Sequence, residues 1–267
     1  MQDILKEFPE REVEAIIRDA SKIMLEADNH RMHIEKKDGA ANFVTEYDVK
    51  VQRFLEGKFS ALLPGCGFLA EEEGENENPL GDGYMFIIDP IDGTTNFMFG
   101  RRASCISVGV FYNRQALYGA VYDPYADRFY SARAGQGAYL NGERIFAADR
   151  DPSVGIAYIG SAPYYREKTG RIIAETTYEI LMHFGDIRRL GSAALEICSI
   201  ASGEADMYCE PILSPWDHAA AGLILKEAGG IVTDYHGDPL GYNGPSSVLA
   251  ATKASYETAQ NLLKGMV

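Results

Sequence analysis

The sequence contains few cysteines, and none of them are close together. The four cysteines are scattered through 267 residues without CxxC spacing, which argues against a zinc knuckle or a disulfide framework. No apolar stretch approaches the roughly 20 residues of a membrane span, and residues 1–7 lack the basic-then-apolar pattern of a secretion signal. We therefore expect a cytoplasmic protein with buried free thiols and no membrane partner.

Basic residues are also scarce. The chain has 39 acidic and 25 basic residues, a net charge of −14, and no cluster of Lys or Arg that resembles a nucleic-acid footprint, which argues against binding to a nucleic acid polymer. An acidic protein that binds a phosphate must reverse its local potential, and a divalent cation is the simplest means of doing so. With 46% hydrophobic residues, the chain can bury one large core or two fused lobes.

The order of predicted elements indicates stacked α and β layers of the α+β or α/β class. Apolar residues repeat with helical spacing from Val13 to Ala27, and Thr45 with Asp48 resembles a capping pair at the start of a second helix. Further strands are predicted at 105–111, 116–122, 128–132 (an antiparallel meander) and 155–160, and helices at 171–183, 192–202, 216–228 and from 256 onward. We expect a single domain over 1–267, with lobes at 1–150 and 151–267.

The segment 84–97 carries most of the chemical information. Residues 84–88 have the length and β-branched content of a buried strand, so Asp89 and Asp92 lie at its end. The run Gly-Thr-Thr-Asn that follows at 93–96 can open a helix with free N–H groups and hydroxyls. Carboxylates bind cations and helix N-termini bind anions. The segment therefore predicts a site for a metal ion and a phosphate together.

Four carboxylates lie where an apolar element begins or ends: Glu71, Asp89, Asp92 and Asp217. Oxygen ligands without His or Cys indicate a hard ion such as Mg²⁺ and disfavour zinc. Asp89 and Asp92 would repel each other at a buried strand end unless a cation lay between them. By itself, Glu71 is better explained as a solvated acidic turn, and Asp217 is equally well explained as an acid in the first turn of a helix. For His218 a capping or packing role is favoured over catalysis.

Three segments resemble the inositol monophosphatase family of Mg²⁺-dependent phosphomonoesterases. Residues 89–97, Asp-Pro-Ile-Asp-Gly-Thr-Thr-Asn-Phe, resemble its first signature, and residues 216–222, Trp-Asp-His-Ala-Ala-Ala-Gly, its second. Residues 68–72, Phe-Leu-Ala-Glu-Glu, resemble its acidic stretch, with Ala70 where the family usually has Gly. The resemblance spans residues 36–232 in the family's order. It implies alternating α-β-α-β-α layers of the inositol monophosphatase and fructose-1,6-bisphosphatase type, and a homodimer.

The resemblance also implies a set of metal ligands. Glu71, Asp89 and the backbone carbonyl of Ile91 would hold one Mg²⁺, and Asp89, Asp92 and Asp217 a second. A weaker third ion would lie near Glu71. The first lobe would thus carry most of the ligands, while Asp217 and the substrate contacts would come from the second. Inhibition by Li⁺ and by excess Mg²⁺ is implied as well.

The catalytic residues implied by the resemblance are Glu71, Thr94, Asp48 and Lys37. Thr94, in hydrogen-bond reach of Asp48, would help Glu71 orient and deprotonate the attacking water. Lys37 occupies the place of the family's active-site lysine, although Lys36 is an equally basic neighbour.

Substrate contacts are implied at Gly93, Thr94 and Thr95 for the phosphate, and at Ala193 and Glu210 for the rest of the molecule. A surface charge beside a proline is the competing interpretation of Glu210.

The substrate that the resemblance favours is a small polyol or sugar phosphate, with inositol 1-phosphate first. Fructose 1,6-bisphosphatase activity, alone or beside the first, stays open. Enzymes for 3′-phosphoadenosine 5′-phosphate tend to carry Lys-Glu, and those for histidinol phosphate Arg-Ala, where this chain has Thr95-Asn96. Both substrates are therefore less favoured.

Two other functional classes stay open. Hydrolases that form an aspartyl phosphate share Asp-Gly-Thr, but here the upstream Asp lies three residues before Asp92 instead of two. A non-enzymatic metal-binding module or partner-binding scaffold would have to explain why every ligand position is intact.

Overall fold

The computed structural model describes residues 8–27, 33–36, 43–72 and 81–266. Its helices in these ranges are α1 (Glu10–Leu25), α2 (Glu46–Leu62), α3 (Thr94–Met98), α4 (Arg166–His183), α5 (Ala193–Ala201), α6 (Pro215–Glu227) and α7 (Lys253–Leu263). Its strands are β1 (Ile34–Lys36), β2 (Phe43–Thr45), β3 (Gly67–Ala70), β4 (Tyr84–Asp92), β5 (Cys105–Tyr112), β6 (Gln115–Asp123), β7 (Arg128–Arg133), β8 (Gly137–Leu140), β9 (Glu143–Ile145), β10 (Ile156–Ile159), β11 (Asp186–Arg188), β12 (Met207–Leu213), β13 (Ile231–Thr233) and β14 (Ser246–Ala251). None of these helices is long and apolar enough to cross a bilayer.

Helices α1 and α2 form the first layer. The apolar residues of α1 recur every three or four positions, so they form one stripe that is buried. The capping pair predicted for α2 is confirmed, because the Thr45 N–H donates to Asp48 Oδ2 at 2.8 Å. Phe59 of α2 stacks on Phe86 of β4 with ring centroids 4.3 Å apart. This layer therefore packs on the strand that carries the Asp89 and Asp92 carboxylates.

The second layer is a sheet of seven described strands in the order β3-β4-β5-β6-β7-β8-β9. Strands β3 and β4 are parallel, and each later neighbour is antiparallel. The predicted meander over 105–132 is confirmed as β5 to β7. Prediction and structure differ for β4, which continues past Pro90 to Asp92.

Helices α5 and α6 form a third layer between two sheets. All residues of α5 are buried, as expected for a helix covered on both sides. A Cβ at Gly119 of β6 would lie 2.7 Å from the Ala220 carbonyl oxygen, so glycine lets α6 approach the first sheet closely. The close approach brings the start of α6 near the end of β4.

The remaining layers are a second sheet and the helices α4 and α7. This sheet has five described strands in the order β11-β10-β12-β14-β13, with β10 parallel to both β11 and β12. The predicted α-β-α-β-α layering is therefore confirmed. Helix α7 begins three residues before the predicted Tyr256, because the Thr252 hydroxyl caps it by accepting from the Ser255 N–H at 3.2 Å. The division into lobes near residue 150 stays a prediction.

Candidate functional site

A bulge at the end of β4 brings its two carboxylates together. Asp89 pairs with Ser107 and Asp92 with Cys105, so β4 has one more residue than β5 between these two pairs. Pro90 has no N–H to donate, and a bulge is one of the few places in a sheet that accepts proline. In an undisturbed strand, residues 89 and 92 would point to opposite faces. The extra residue removes that alternation, so both side chains can serve one site.

Helix α6 supplies the third carboxylate. Asp217 lies in its first turn, where its Oδ2 accepts the Ser214 N–H at 2.9 Å. Ligand atoms of Asp89, Asp92 and Asp217 all lie within 4.8 Å of one another. Glu71 follows β3, and its N–H donates to the Ile88 carbonyl of β4 at 3.2 Å. The structure therefore brings together the three aspartates and places Glu71 beside them.

The electrostatics of the three aspartates indicate a cation site. Burial raises the pKa of Asp89 well above its ordinary value, and the neighbouring Glu71, Asp92 and Asp217 raise it further. Burial likewise raises the pKa of Asp217, and Asp92 and Glu71 add to the effect. Like charges this close are stable only when protonated or neutralised by a cation. Oxygen donors in this number fit a hard divalent ion such as Mg²⁺.

Asp92 also interacts with the start of α5. Its carboxylate accepts the Ser192 hydroxyl at 2.6 Å, the Ala194 N–H at 2.7 Å and the Ala193 N–H at 3.3 Å. Burial raises the pKa of Asp92, whereas these donors lower it. The Cys105 thiol lies 3.7 Å from the same carboxylate. Ala193, predicted as a substrate contact, thus directs its N–H to Asp92 in this structure.

Thr94 links the strand end to α2. Its hydroxyl lies 3.1 Å from the Ile91 carbonyl oxygen and 3.4 Å from Asp48 Oδ1. Asp48 is fully buried, and burial raises its pKa to about 6 against the lowering effect of its bonds to Thr45. The predicted Thr94 and Asp48 pair is therefore within reach, and the shorter contact is the one to Ile91.

The first turn of α3 begins directly behind the carboxylates. Gly93 has φ 89°, a left-handed conformation that glycine adopts without strain. A Cβ there would meet the carbonyl oxygens of Ala103 at 3.0 Å and Gly191 at 3.2 Å. The N–H groups of a first helical turn have no acceptor within the helix. Those of Thr94 and Thr95 thus lie where the sequence predicts phosphate contacts.

Other predicted residues lie elsewhere. Glu210 is a buried residue of β12, which excludes the competing interpretation as a surface charge. Lys37 lies outside the described residues. His218 is buried and packs against Tyr242 with ring centroids 5.7 Å apart. Burial lowers the pKa of His218 to about 3, which agrees with packing and not with proton transfer.

Sequence reasoning missed two residues that shape the site. Asn96 Nδ2 donates to the carbonyls of Ala103 and Leu190, both at 2.8 Å, and so ties α3 to the turn before α5. The position of Asn96 inside the first signature, residues 89–97, was a signal that could have identified it. Tyr164 lies in the 3₁₀ turn Pro163–Tyr165 after β10, and burial together with the negative charges of the carboxylates raises its pKa. The rule that loops at the carboxyl ends of parallel strands form sites could have suggested it.

Comparison with known proteins gives a consistent result. The profile described as "Inositol monophosphatase family" matches residues 5–265. The inositol-1-monophosphatase of Bacillus subtilis is 32% identical over 243 residues, which cover 91% of each chain. The crystal structure of suhB from Bartonella henselae superposes with a TM-score of 0.87 at 25% identity, covering 96% of this chain and 98% of that one. Inositol monophosphate-bound SaIMPase-II gives 0.81 at 28% identity, covering 95% and 93%.

Proposed function

Because the chain belongs to the inositol monophosphatase family and is therefore a metal-dependent phosphatase, we propose that it hydrolyses inositol 1-phosphate to inositol and phosphate with Mg²⁺. The observation that carries the proposal is the group of three aspartates within 4.8 Å of one another, directly before the Thr94 hydroxyl. A similar solved structure has inositol monophosphate bound, which supports the choice of substrate.

The proposed metal ligands are the carboxylates of Asp89, Asp92, Asp217 and Glu71 and the carbonyl of Ile91. Two or three Mg²⁺ ions are proposed, because four carboxylates in one buried site carry more charge than one divalent ion neutralises. Bound Mg²⁺ would supply charge neutralisation of the phosphate and a lowered pKa for the attacking water.

The protein's own residues are proposed to position the reactants. The N–H groups of Gly93, Thr94 and Thr95 donate hydrogen bonds to phosphate oxygens, which holds the ester for in-line attack. Glu71 accepts the proton of the attacking water. Asp48, with a pKa of about 6, is mostly ionised at neutral pH and can accept a hydrogen bond from the Thr94 hydroxyl, which leaves the lone pairs of the Thr94 oxygen free to orient that water.

Further contacts are proposed around this centre. Lys37 would balance the negative charge that gathers on the phosphate. Ala193 and Glu210 would contact the alcohol part of the substrate. Phosphoryl transfer of this kind depends on positioning and electrostatics, and no covalent phosphoenzyme is required.

A substrate panel tests the proposal. Turnover of inositol 1-phosphate, fructose 1,6-bisphosphate, adenosine 3′,5′-bisphosphate and histidinol phosphate is compared with Mg²⁺ and with EDTA. We expect the highest kcat/KM for inositol 1-phosphate, and no turnover in EDTA. A higher value for fructose 1,6-bisphosphate would favour the sugar-phosphate alternative. Full activity in EDTA would contradict the metal mechanism.

A pair of isosteric variants tests the site itself. Asp89→Asn removes one charge from the aspartate group and should lower kcat/KM by at least about 100-fold. Loss of one electrostatic contact that stabilises a transition state typically has an effect of this size. Asp123→Asn is the matched control. Asp123 is also a buried carboxylate at a strand end, but its Oδ1 accepts the N–H groups of Tyr125 and Ala126 away from the site. Equal effects of the two variants would contradict the assignment.

The remaining proposals concern the protein as a whole. Inhibition by Li⁺ and by excess Mg²⁺ and a homodimer are proposed on the basis of the family resemblance, and a cytoplasmic location stays a prediction. Inhibition curves and sedimentation velocity test the first two, and a monomer at micromolar concentration would contradict the dimer.

A further inference from the structure

Gln52 of α2 binds the backbone directly after Glu71. Its Oε1 accepts the Glu72 N–H at 2.8 Å, and its Nε2 donates to the Glu72 carbonyl oxygen. The same Nε2 also donates to Glu56 Oε1 at 3.0 Å. Gln52 is 1% exposed, so both polar atoms of this buried amide have partners inside the protein. A fully paired polar group of this kind makes its surroundings rigid.

Glu71 directly follows an edge strand. Among the described strands of the first sheet, β3 is the outermost, so its neighbour there is β4. On the side of β4, the Glu71 N–H donates to the Ile88 carbonyl oxygen at 3.2 Å. On its other side, an edge strand presents N–H and C=O groups that no strand pairs with. Gln52 takes the place of a neighbouring strand at Glu72, because its amide pairs with both backbone groups of that residue.

Two contacts therefore hold the backbone on both sides of Glu71. The peptide group before this residue donates to β4 through the Glu71 N–H, and the peptide group after it donates to Gln52 through the Glu72 N–H. Each peptide group is planar, so only the two dihedral angles at the Glu71 Cα lie between them. When both peptide groups are held, these two angles are held as well. Gln52 thus helps to set the direction in which the Glu71 side chain leaves the backbone.

Helix α2 carries this contact on the same face as Asp48. Gln52 follows Asp48 by four positions, and residues four apart lie on one face of a helix. Asp48 Oδ1 lies 3.4 Å from the Thr94 hydroxyl. The helix is fixed on β4 by the stacking of Phe59. One helix face therefore contacts two parts of the site, the Thr94 hydroxyl and the backbone after Glu71.

We propose that Gln52 is a positioning residue of the site: by holding the Glu72 backbone it fixes the direction of the Glu71 carboxylate, on which metal binding and proton acceptance by Glu71 depend. Gln52 acts only through Glu71 and is not itself a catalytic residue. Groups that orient a metal ligand typically change metal affinity or activity by about 10- to 100-fold when they are lost. This inference rests on the proposed function, since it concerns a residue to which that function gives a role.

Binding of Mn²⁺ measures the role of Gln52 without turnover. Mn²⁺ shares the preference of Mg²⁺ for carboxylate and carbonyl oxygens, and the free ion is measured by electron paramagnetic resonance. Gln52→Met keeps the length of the side chain and removes its hydrogen bonds, and it should weaken Mn²⁺ binding about 10- to 100-fold. If this variant fails to fold, Gln52→Ala leaves room for water at the Glu72 backbone and should weaken binding in the same direction. Wild-type Mn²⁺ affinity in a folded variant would overturn the positioning role.

Asn141→Ala is the matched control. The Asn141 amide also binds the backbone through both of its polar atoms, because Oδ1 accepts the Phe129 N–H and Nδ2 donates to the Asp127 carbonyl, each at 2.8 Å. These contacts join the turn after β8 to the start of β7, which is three strands away from β4. The control should lower the Tm and leave Mn²⁺ affinity and turnover at wild-type values. A loss of Mn²⁺ affinity equal to that of Gln52→Met would show that general destabilisation causes the effect, which contradicts the inference.

A double-mutant cycle identifies the residue through which Gln52 acts. Glu71→Gln removes the charge of the carboxylate and leaves three aspartates to bind an ion, so its Mn²⁺ affinity stays measurable. In this background, Gln52→Met should cause no further loss of Mn²⁺ affinity. Fully additive losses would show that Gln52 acts independently of Glu71, and the positioning role would be wrong.

Steady-state kinetics with saturating Mg²⁺ separate this inference from the proposed function. Gln52→Met should lower kcat for inositol 1-phosphate by about 10-fold or more and leave KM near wild type, because Glu71 is proposed to act on the attacking water. Wild-type turnover, with kcat and Mn²⁺ affinity both unchanged in Gln52→Met, would refute the inference and still support the proposed function. Wild-type protein that does not hydrolyse inositol 1-phosphate, with Mn²⁺ affinity lowered in Gln52→Met, would refute the proposed substrate and support the positioning role.

Discussion

The carboxylates of the site differ, residue by residue, in how the protein balances their charge. Asp92 accepts hydrogen bonds from Ser192, Ala193 and Ala194 at the start of a helix. Asp89 accepts the Ile91 N–H at 3.0 Å, and burial raises its pKa strongly. A carboxylate with several donors stays ionised more readily than one without them. Asp89 therefore depends more than Asp92 on a bound cation for its charged form.

The Thr94 hydroxyl is expected to act through its oxygen. Thr94→Ala removes it and should lower kcat for inositol 1-phosphate by about 100-fold or more, because the attacking water loses the group that orients it. Thr94→Ser keeps the hydroxyl and should retain kcat within about 5-fold. Steady-state kinetics with saturating Mg²⁺ measure both.

Two results separate catalysis from packing at this residue. Thermal melts of both variants should stay close to wild type, because the Thr94 methyl group is a small part of the buried surface. If Thr94→Ser were as inactive as Thr94→Ala, the methyl group and not the hydroxyl would be required, and the proposed role would be wrong.

At the scale of elements, α3 is short but connects several parts of the site. Its side chain Asn96 donates to the carbonyls of Ala103 and Leu190, and Gly93 packs against the carbonyl of Gly191. The start of α3, the end of β4 and the turn before α5 therefore hold one another in position. A change at Gly93 should alter both stability and activity for this reason.

Gly93→Ala tests this connection. The substitution places a Cβ at a left-handed residue, which costs about 1–2 kcal/mol, and brings that Cβ to 3.0 Å from the Ala103 oxygen. We expect a loss of unfolding free energy above about 2 kcal/mol and a fall in kcat/KM of at least about 10-fold. Urea unfolding and steady-state kinetics are the measurements.

Gly135→Ala is the matched control for this effect. Gly135 also has a positive φ of 76°, but a Cβ there meets no atom within 4 Å. It should lose only the conformational term of about 1–2 kcal/mol and keep full activity. Equal stability losses for the two variants would show that the close packing around Gly93 contributes nothing.

At the scale of the whole molecule, buried acids make the metal-free protein sensitive to pH. Burial raises the pKa of Asp48 from 3.8 to about 6 and of Glu196 from 4.5 to about 8. A carboxyl group whose pKa is higher in the folded state binds more protons there, so the unfolding free energy falls as pH rises between the two values. In EDTA we expect the Tm to be several degrees higher at pH 5.5 than at pH 8.

Bound Mg²⁺ should oppose this fall in stability with rising pH. Protons compete with the ion for Asp89, Asp92 and Asp217, so the gain in Tm on adding Mg²⁺ should increase from pH 5.5 to pH 8. At a concentration of 100 times Kd, the ion contributes about 2.7 kcal/mol. Scanning calorimetry at both pH values, with EDTA and with Mg²⁺, measures the effect.

A variant isolates the contribution of one buried acid. Glu196→Gln keeps an acceptor for the Leu190 and Gly191 N–H groups but cannot titrate. The Tm of this variant in EDTA should depend less on pH than that of wild type. A Tm in EDTA that rises with pH for the wild type would contradict the sign of the argument.

Local sequence patterns were sufficient to predict most helices and strands, and also the strand and helix ends that carry the proposed metal ligands. Helical spacing identified α1, the Thr45 and Asp48 pair identified the start of α2, and the apolar run before Asp89 identified β4. The predictions were wrong in extent where a neighbouring segment decides the boundary. Strand β4 continues through Pro90 because β5 still pairs with it, and no local rule favours proline in a strand.

The sequence by itself determined the chemistry of this protein, because its first signature places two carboxylates and a helix start within eight residues. The family resemblance named Glu71 and Asp217 as further ligands, but only the tertiary structure decided how these distant groups meet. Packing of α6 on the first sheet brings Asp217 to Asp89 and Asp92, and the register of β10 against β12 brings the loop after β10 to Glu210. These distances depend on contacts between layers, and a linear pattern contains no information on how layers pack.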